Sequence, residues 1–404
     1  MGRENHTGLW YDAHTNAWVA QLVEHSPEEG RVGGSNPPPS TMKAAITRVL
    51  AWAARNERHL GAAAFVFGFA TDLVTFTVLS VAYANLVFAG YLLLATVSVL
   101  LSALVPRSRE YIHSFVRAIS IVAPLAAQYA IGGMLSGFMI FYTKSAELSA
   151  SWPFLVLLAA VFIGNEFFRL QYKYLAFQLG LLYFALYGYL IFALPLFLGR
   201  LGPDVFLMST GASLAVFAVF LYILRRINRL ELTRSLRYLL PGAVATLLLV
   251  NVAYFTGALP PIPLTMPESG IYHSLARVDN RYVAMSEPAR AWYQLLSPRT
   301  VHTVGGIQLY AFSAVAAPIK FGTTVTHRWE WYDQNLGSWV TKSRIEFPIS
   351  GGRPGGYRGY SVFAPVESGQ WRVSVETKNG QVIGRIPFTL MVTTAIPEFH
   401  EVSH

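Results

Sequence analysis

From Leu60 to Leu259 the chain runs in long apolar blocks broken by short polar loops, and from Gly306 onward apolar and polar residues alternate with a period of two. The two patterns imply two kinds of structure. A helix crossing the hydrocarbon core of a bilayer needs about 20 mostly apolar residues. Seven blocks read as such spans: Leu60–Leu79, Asn85–Leu104, Ala118–Phe141, Trp152–Phe168, Leu175–Leu198, Val205–Leu224 and Tyr238–Leu259. As one helix, Leu60 to Val105 would be about 69 Å long, too long for a single crossing. A tight connection at Tyr83-Ala84 is therefore expected to split it, with a single re-entrant unit as the alternative.

The remainder reads as a soluble domain. Pro260, Pro261 and Pro263 end the last helix and form a stiff spacer. Ser286-Glu-Pro-Ala-Arg-Ala-Trp-Tyr-Gln-Leu-Leu reads as a short helix with Ser286 as N-cap. Strands are expected at Ile307–Val315, Thr323–Tyr332, Trp339–Ile349 and Tyr357–Ala364. A hairpin is expected about Asn379-Gly380, the preferred pair for a two-residue type I′ turn. Folding there pairs Thr377 with Val382, Val375 with Gly384, Val373 with Ile386 and Trp371 with Phe388 on one buried face. Arg372, Ser374, Glu376, Arg385, Pro387 and Thr389 then share a wet face. A slip of one residue would destroy that segregation, so the register is strongly specified.

Six short strands between Gly-rich turns suggest a small antiparallel sandwich. The predicted architecture is an α-helical transmembrane bundle of about seven spans (42–259), a linker with a short helix (260–304), a C-terminal antiparallel β-sandwich-like domain (305–392) and a tail (393–404).

His327-Arg-Trp-Glu-Trp-Tyr, the Gly351-Gly-Arg loop, Gly369-Gln-Trp-Arg-Val-Ser-Val-Glu and Asn379-Gly-Gln-Val-Ile-Gly with Phe388 carry a family resemblance. Across roughly 305–392 the chain resembles bacterial polytopic membrane proteins that end in the domain of unknown function family 2914. The resemblance implies a β-sandwich-like extracytoplasmic module after a set of membrane spans. It implies no activity and transfers no catalytic residue. Residues 1–41 have neither helical nor strand period and resemble the peptide read from a transfer-RNA gene. Met42 is the expected start, with a disordered leader as the alternative.

Composition sharpens the membrane reading. Charged residues make up 13% of the chain and hydrophobic ones 53%, against about 25% charged in ordinary soluble domains. The net charge of +9 does not point to nucleic acid, because the cations sit in the loops between spans. One set of loops holds Lys43, Arg48, Arg55 and Arg58, then Arg107, Arg109 and Arg117, then Arg169 and Lys173, then Arg225, Arg226, Arg229, Arg234 and Arg237. The alternate loops hold only Lys144 and Arg200. Fourteen against two is the positive-inside signature. It places the N-terminus and Arg229 in the cytoplasm, and Asp204 and the C-terminal domain outside, in the periplasm of a bacterial inner membrane.

Candidate chemistry is sparse. The chain has no cysteine, hence no thiolate nucleophile and no thiolate metal site. His273, His302 and His327 lack metal-ligand spacing, and no cofactor is expected. Within the spans lie Asp72, Gln128, Glu166 and Asn251. Polar groups at membrane depth mark a pathway or a structural hydrogen bond between helices. Gly133 and Gly137 form a GxxxG pattern for close helix packing, within or between chains. In the domain, His327, Trp329 and Trp331 share a strand face and read either as an aromatic sugar platform or as sandwich core. Arg344, Arg353, Arg358 and Arg372 read either as a basic patch for an anionic envelope glycan or lipid headgroup, or as a solvated surface.

Two functions remain open. One is a non-enzymatic envelope protein that sits in the lipid bilayer and presents a sandwich to a ligand or protein partner. The other is a membrane-embedded enzyme or transporter acting on a lipid-linked or small substrate. Convergence of Asp72, Gln128, Glu166 and Asn251 on one wet cavity would favour the second.

Overall fold

The structure, a computed structural model, describes residues 57–78, 81–104, 114–279, 281–288, 299–304, 306–319, 321–353, 355–394 and 398–403. The suspected leader 1–41 lies outside them. The chain divides into a unit ending at Ala63 and a second from Ala64 to His404. Of the first, only the opening turns of one helix are described.

Seven α-helices come first among the described residues: α1 (Glu57–Val78), α2 (Val81–Leu104), α3 (Ser114–Ser145), α4 (Leu148–Phe167), α5 (Leu175–Leu198), α6 (Pro203–Ile227) and α7 (Arg229–Phe255). A 3₁₀ turn, Arg169–Lys173, joins α4 to α5. Helices α2 to α7 are each long and apolar enough to cross a membrane, whereas α1 contributes a shorter apolar stretch, Val66–Phe76. Their outward faces carry Leu86, Leu93, Val219 and Val252 exposed, while α6 buries Ser209 and Ser213. An apolar exterior over small polar interior residues is the pattern of helices solvated by lipid. The chain is an integral membrane protein.

The helix ends follow local chemistry. Glu147 caps α4 by accepting from the Ala150 N–H at 3.0 Å, and Asn228 caps α7 by accepting from the Glu231 N–H at 3.2 Å. Gly199, at φ 66°, ends α5 in the left-handed region. The connection expected at Tyr83-Ala84 is not there. Both residues lie inside α2, and residues 79–80, between α1 and α2, lie outside the described residues. Nothing around Tyr83-Ala84 interrupts a helix: neither Gly nor Pro is present, and Ala84 is buried.

The GxxxG pattern serves packing within the chain. A side chain at Gly133 would meet the Tyr91 ring, and one at Gly137 the Phe88 ring, both on α2. Phe88 also anchors an aromatic cluster with Phe76, Phe138, Phe141 and Phe192 at centroid distances of 5.0–5.9 Å. Gly137→Val is expected to cost about 1–3 kcal/mol by overpacking. Thermal unfolding of the purified chain checks this, with Gly211→Ala, whose added carbon meets open space, as the neutral control.

Among the described residues eleven strands follow: β1 (Thr265–Tyr272), β2 (Ser274–Val278), β3 (Arg281–Ser286), β4 (Arg299–Thr303), β5 (Leu309–Ala316), β6 (Gly322–Asp333), β7 (Ser338–Ser350), β8 (Tyr357–Phe363), β9 (Gly369–Thr377), β10 (Val382–Val392) and β11 (His400–Ser403). They form a five-stranded sheet in the order β4-β10-β9-β6-β7 and two three-stranded sheets, β1-β5-β8 and β11-β3-β2. Every pairing is antiparallel except β4 with β10.

The main core lies between the large sheet and β1-β5-β8. Leu309, Ala311 and Val315 belong to one cluster with Val325, Trp329, Trp371, Val373 and Phe388. The second face of β5 packs Phe312 and Ala314 with Tyr272 and Ala284 against the third sheet. With both faces covered, β5 reads as a nearly continuous apolar run rather than an alternating one.

The strand-rich region begins earlier than the pattern predicts. Ser286 is not a helix N-cap: it ends β3 and pairs with His400 of β11. Most of the predicted short helix, 289–296, lies outside the described residues. Residues 265–303 supply β1 to β4 instead of a linker, and Pro260–Leu264 is buried instead of forming a free spacer.

In the hairpin, Val375↔Gly384, Val373↔Ile386 and Trp371↔Phe388 pair as expected. The turn differs. Val382 stands opposite Glu376 after a bulge, the Gly380 N–H donates to Thr377 O at 2.9 Å, and the Thr377 N–H donates to Gln381 O at 2.9 Å. A type I′ turn needs φ > 0 at both central residues, but only Gly380 has it, at 79°. The loop is a type I turn closed by a Gly bulge, one of the common longer hairpin connections.

The domain rests on one end of the bundle. Arg385 Nη1 donates to Glu147 Oε2 at 3.1 Å in the α3–α4 loop. The Gly322 N–H donates to Gly199 O at 3.1 Å in the α5–α6 loop. Gln381 Nε2 donates to Leu259 O at 3.2 Å just beyond α7, and Leu201 packs on the sandwich core. The arginine-rich segments 169–173 and 225–237 therefore lie at the opposite end.

Candidate functional site

The four intramembrane polar residues do not converge. Gln128 Nε2 donates to Glu166 Oε2 at 3.3 Å, tying α3 to α4. Beside them, Tyr172 Oη donates to Asn165 Oδ1. Asn251 Nδ2 on α7 donates to Tyr187 Oη at 3.0 Å, and Tyr187 shares a 2.8 Å hydrogen bond with Thr210 on α6. Asp72, half-buried on α1, has Ser136 of α3 and Tyr91 of α2 as polar neighbours. These are three groups on different sets of helices, α3–α4, α5–α6–α7 and α1–α2–α3. None of the four residues lines the large groove of the bundle. Among the described residues no grouping of three or more His, Asp or Glu side chains is arranged to hold a metal ion.

The aromatic face of β6 is sandwich core, not a platform. His327 and Trp329 are both 0% exposed. His327 Nε2 bonds Ser313 Oγ at 2.8 Å and its Nδ1 bonds Ser361 Oγ at 2.9 Å, while Trp329 Nε1 donates to Ser361 Oγ at 3.0 Å. Trp331 is half-buried at the margin: its Nε1 donates to Ser368 O at 3.2 Å, and the Lys342 ammonium lies 4.9 Å from its ring. Ser313 and Ser361 come from β5 and β8, so the imidazole bridges the two sheets. The arginines do not form one patch either. Arg353 is exposed and stacks on Tyr357 at 4.7 Å, Arg358 is half-buried, and Arg372 is engaged on the other side of the large sheet.

Burial pushes the His327 imidazole down to about 4. Below its ordinary value of about 6.5 the unfolded chain binds a proton that the folded chain refuses, so stability falls as pH drops from 6.5 towards 4. The loss attributable to His327 is expected to reach about 3 kcal/mol by pH 4. Denaturant titrations at pH 7 and pH 5 for the parent and His327→Gln check this. The parent should lose more stability on acidification, and equal losses would refute the buried neutral assignment.

The second face of the large sheet holds the densest polar chemistry, at positions the pattern assigns to water. Glu330 is 2% exposed. It accepts from Arg372 Nε at 2.7 Å, Arg372 Nη2 at 3.1 Å and Ser374 Oγ at 2.7 Å, and pairs with Arg328 Nη1 at 3.3 Å. Arg328 Nε donates to Glu376 Oε1 at 2.7 Å. The row continues through Arg385 to Glu147 on the bundle.

The alternation Arg328-x-Glu330 on β6 and Arg372-x-Ser374-x-Glu376 on β9 places opposite charges across adjacent strands. Burial opposes ionisation of Glu330. The hydrogen bonds from Arg372 and Ser374 and the charges of Arg372 and Arg328 outweigh it and hold the carboxyl below its ordinary value. Glu376, more dependent on the shared Arg328, is pushed up by burial. Three guanidinium groups facing three carboxylates make a neutral lattice that fixes position. Ser374, whose hydroxyl Glu330 holds, is 0% exposed, so no substrate reaches it in this arrangement.

A smaller cluster joins residues far apart in sequence. Glu287 accepts at Oε2 from the His302 ring at 2.9 Å and at Oε1 from the His302 N–H at 2.6 Å, and its Oε1 lies 3.0 Å from His273 Nε2. His273 stacks on Phe399 with centroids 4.4 Å apart. Burial lowers the His273 value, against the opposing pull of Glu287. Burial raises Glu287, but the hydrogen bonds from His302 and His273 hold it below the usual range. Both carboxylate oxygens are occupied by these bonds, so the group is a clasp among β3, β4 and the β1–β2 junction. The separations of fourteen and fifteen residues match no motif spacing.

The family described as protein of unknown function (DUF2914) matches residues 322–390, which span β6 to β10. No curated protein matches. Among solved structures, a β-glucosidase from Listeria innocua in complex with gluconolactone superposes with a TM-score of 0.18 at 11% identity, over 35% of this chain and 18% of that one. The Pseudomonas fluorescens alkylpurine DNA glycosylase AlkC, bound to DNA containing an abasic site analog, gives a TM-score of 0.21 at 11% identity, over 78% of this chain and 100% of that one.

Proposed function

We propose that this chain is a non-enzymatic protein of a bacterial inner membrane, whose helical bundle holds the β domain on the periplasmic side for binding a ligand or protein partner. The observation that carries this reading is the separation of Asp72, Gln128–Glu166 and Asn251 into groups with different partners, none of which lines the large groove of the bundle. A catalyst or transporter working at membrane depth needs such groups on one pathway. Loop charge supports the orientation, because the domain sits at the end away from the arginine-rich segments.

The domain keeps an aromatic surface free for a partner. Tyr360 is exposed, with Tyr282 and Tyr310 rings 6.2 and 6.1 Å away. Half-exposed tyrosines supply large contact area with a polar tip. A photoreactive side chain at Tyr360 in intact cells tests this. An adduct with an envelope component is expected, and it should be lost when Tyr282 and Tyr310 are replaced by Ser. No adduct, or one insensitive to those replacements, contradicts a binding role for this surface.

A further inference from the structure

A groove of about 1210 Å³ opens between α5, α7 and the α4–α5 turn at the arginine-rich end of the bundle. It is larger than the roughly 300–1,000 Å³ pockets that hold drug-sized ligands. Its lining is graded along its length. Arg234, Tyr238, Gly242 and Thr246 line it from α7 at a spacing of four, which places them on one face of that helix. From Arg234 to Thr246 this face covers about 18 Å, close to one leaflet of a hydrocarbon core about 30 Å thick. The charged members, Glu231, Arg234 and Arg237, cluster at one end beside Tyr174, and Thr246 lies at the other. Towards the middle of the bundle the opposing wall is Phe177, Leu181 and Phe184 of α5.

Two further observations point to an occupant. Arg234 and Arg237 are exposed, and neither forms an ion pair with a carboxylate among the described residues. The floor is open as well: an added carbon at Gly180 or at Gly242 would meet no atom within 4 Å. A cationic mouth above an apolar trough one leaflet deep complements a negatively charged headgroup carrying acyl chains.

We infer that this groove is a binding site for one anionic membrane phospholipid. The phosphate sits between Arg234 and Arg237, and an acyl chain lies along Gly180, Leu181, Phe184 and Gly242. Basic pockets between transmembrane helices at the cytoplasmic side take anionic headgroups in this way. Glu231 also lines the mouth and has an interaction of its own, which leaves Arg234 and Arg237 as the cations facing the headgroup. That pair favours a singly charged phosphodiester over a zwitterionic headgroup, which brings its own cation.

The full-length chain in nanodiscs of phosphatidylcholine with a minor fraction of phosphatidylglycerol, released into native mass spectrometry, tests the assignment. One retained phosphatidylglycerol per chain is expected, favoured over phosphatidylcholine by roughly tenfold or more. Arg234→Gln with Arg237→Gln should bring that preference close to unity. Gly180→Leu, which grows into open space, should displace the lipid without lowering the melting temperature.

Equal retention of the two lipids, a preference that survives loss of both arginines, or retention unchanged in Gly180→Leu would each overturn the proposal. So would a dimer that carries no lipid and is disrupted by Gly180→Leu, since a second copy would then fill the groove.

Discussion

Replacing Trp371 by Ala is expected to destabilise the β domain by about 3–5 kcal/mol, the range for removing a large buried aromatic. Trp371 is 1% exposed. Its ring stacks near Phe388 at 6.4 Å and Phe363 at 5.8 Å, and its Nε1 donates to Glu367 O at 2.8 Å. Removal leaves a cavity between two sheets and an acceptor without its donor. Both partners are held by strands on either side, so the site has little room to collapse. Hydrogen exchange of the Val373 and Val375 amides in the full-length chain reads the local effect. Opening should become at least about a hundredfold more frequent. Parent-like protection would show that the ring is not part of the core and would reopen a surface role for it.

The second large effect comes from the polar face. Glu330→Ala is expected to cost about 3–5 kcal/mol, because it strands the Arg372 guanidinium in a site built for a pair. Replacing both residues, Glu330→Met with Arg372→Leu, should cost clearly less than the sum of the single changes, because no charge is then left without its partner. A double-mutant cycle on the same exchange readout checks it, and additive losses would show that the two groups are independent. On the period-two pattern alone Arg372 faces water, and its removal should cost roughly 0.5 kcal/mol or less. The structure reverses that expectation, because Glu330 takes two hydrogen bonds from the guanidinium and the Trp339 ring lies 4.2 Å from it.

The contrast shows what the pattern carries. The pairings of Val375, Val373 and Trp371 with Gly384, Ile386 and Phe388 are legible because a slip of one residue would turn every apolar side chain outward. The same pattern says that Arg372, Ser374 and Glu376 share a face, but not what covers it. The cover includes the α3–α4 loop, and Arg385 reaches Glu147 across 238 residues of chain.

Strand β1, with the sequence Thr-Met-Pro-Glu-Ser-Gly-Ile-Tyr, reads as a loop because Pro267 and Gly270 interrupt it. It survives as the edge of its sheet, where proline is tolerated. The helices are legible from length and apolarity alone. The end of α1 is less so, because the apolar run continues unbroken into α2. The distribution of Gln128, Glu166 and Asn251 among helix pairs depends on packing angles that no spacing encodes.

The β domain and the basic helix ends are expected to lie on opposite sides of the membrane. A chain without cysteine allows a direct measurement. Ser338→Cys places one thiol at the exposed start of β7, and Lys173→Cys places one between α4 and α5. With a membrane-impermeant maleimide, the S338C chain should be labelled in intact cells and the K173C chain only after the inner membrane is opened. Labelling in the reverse order would overturn this orientation.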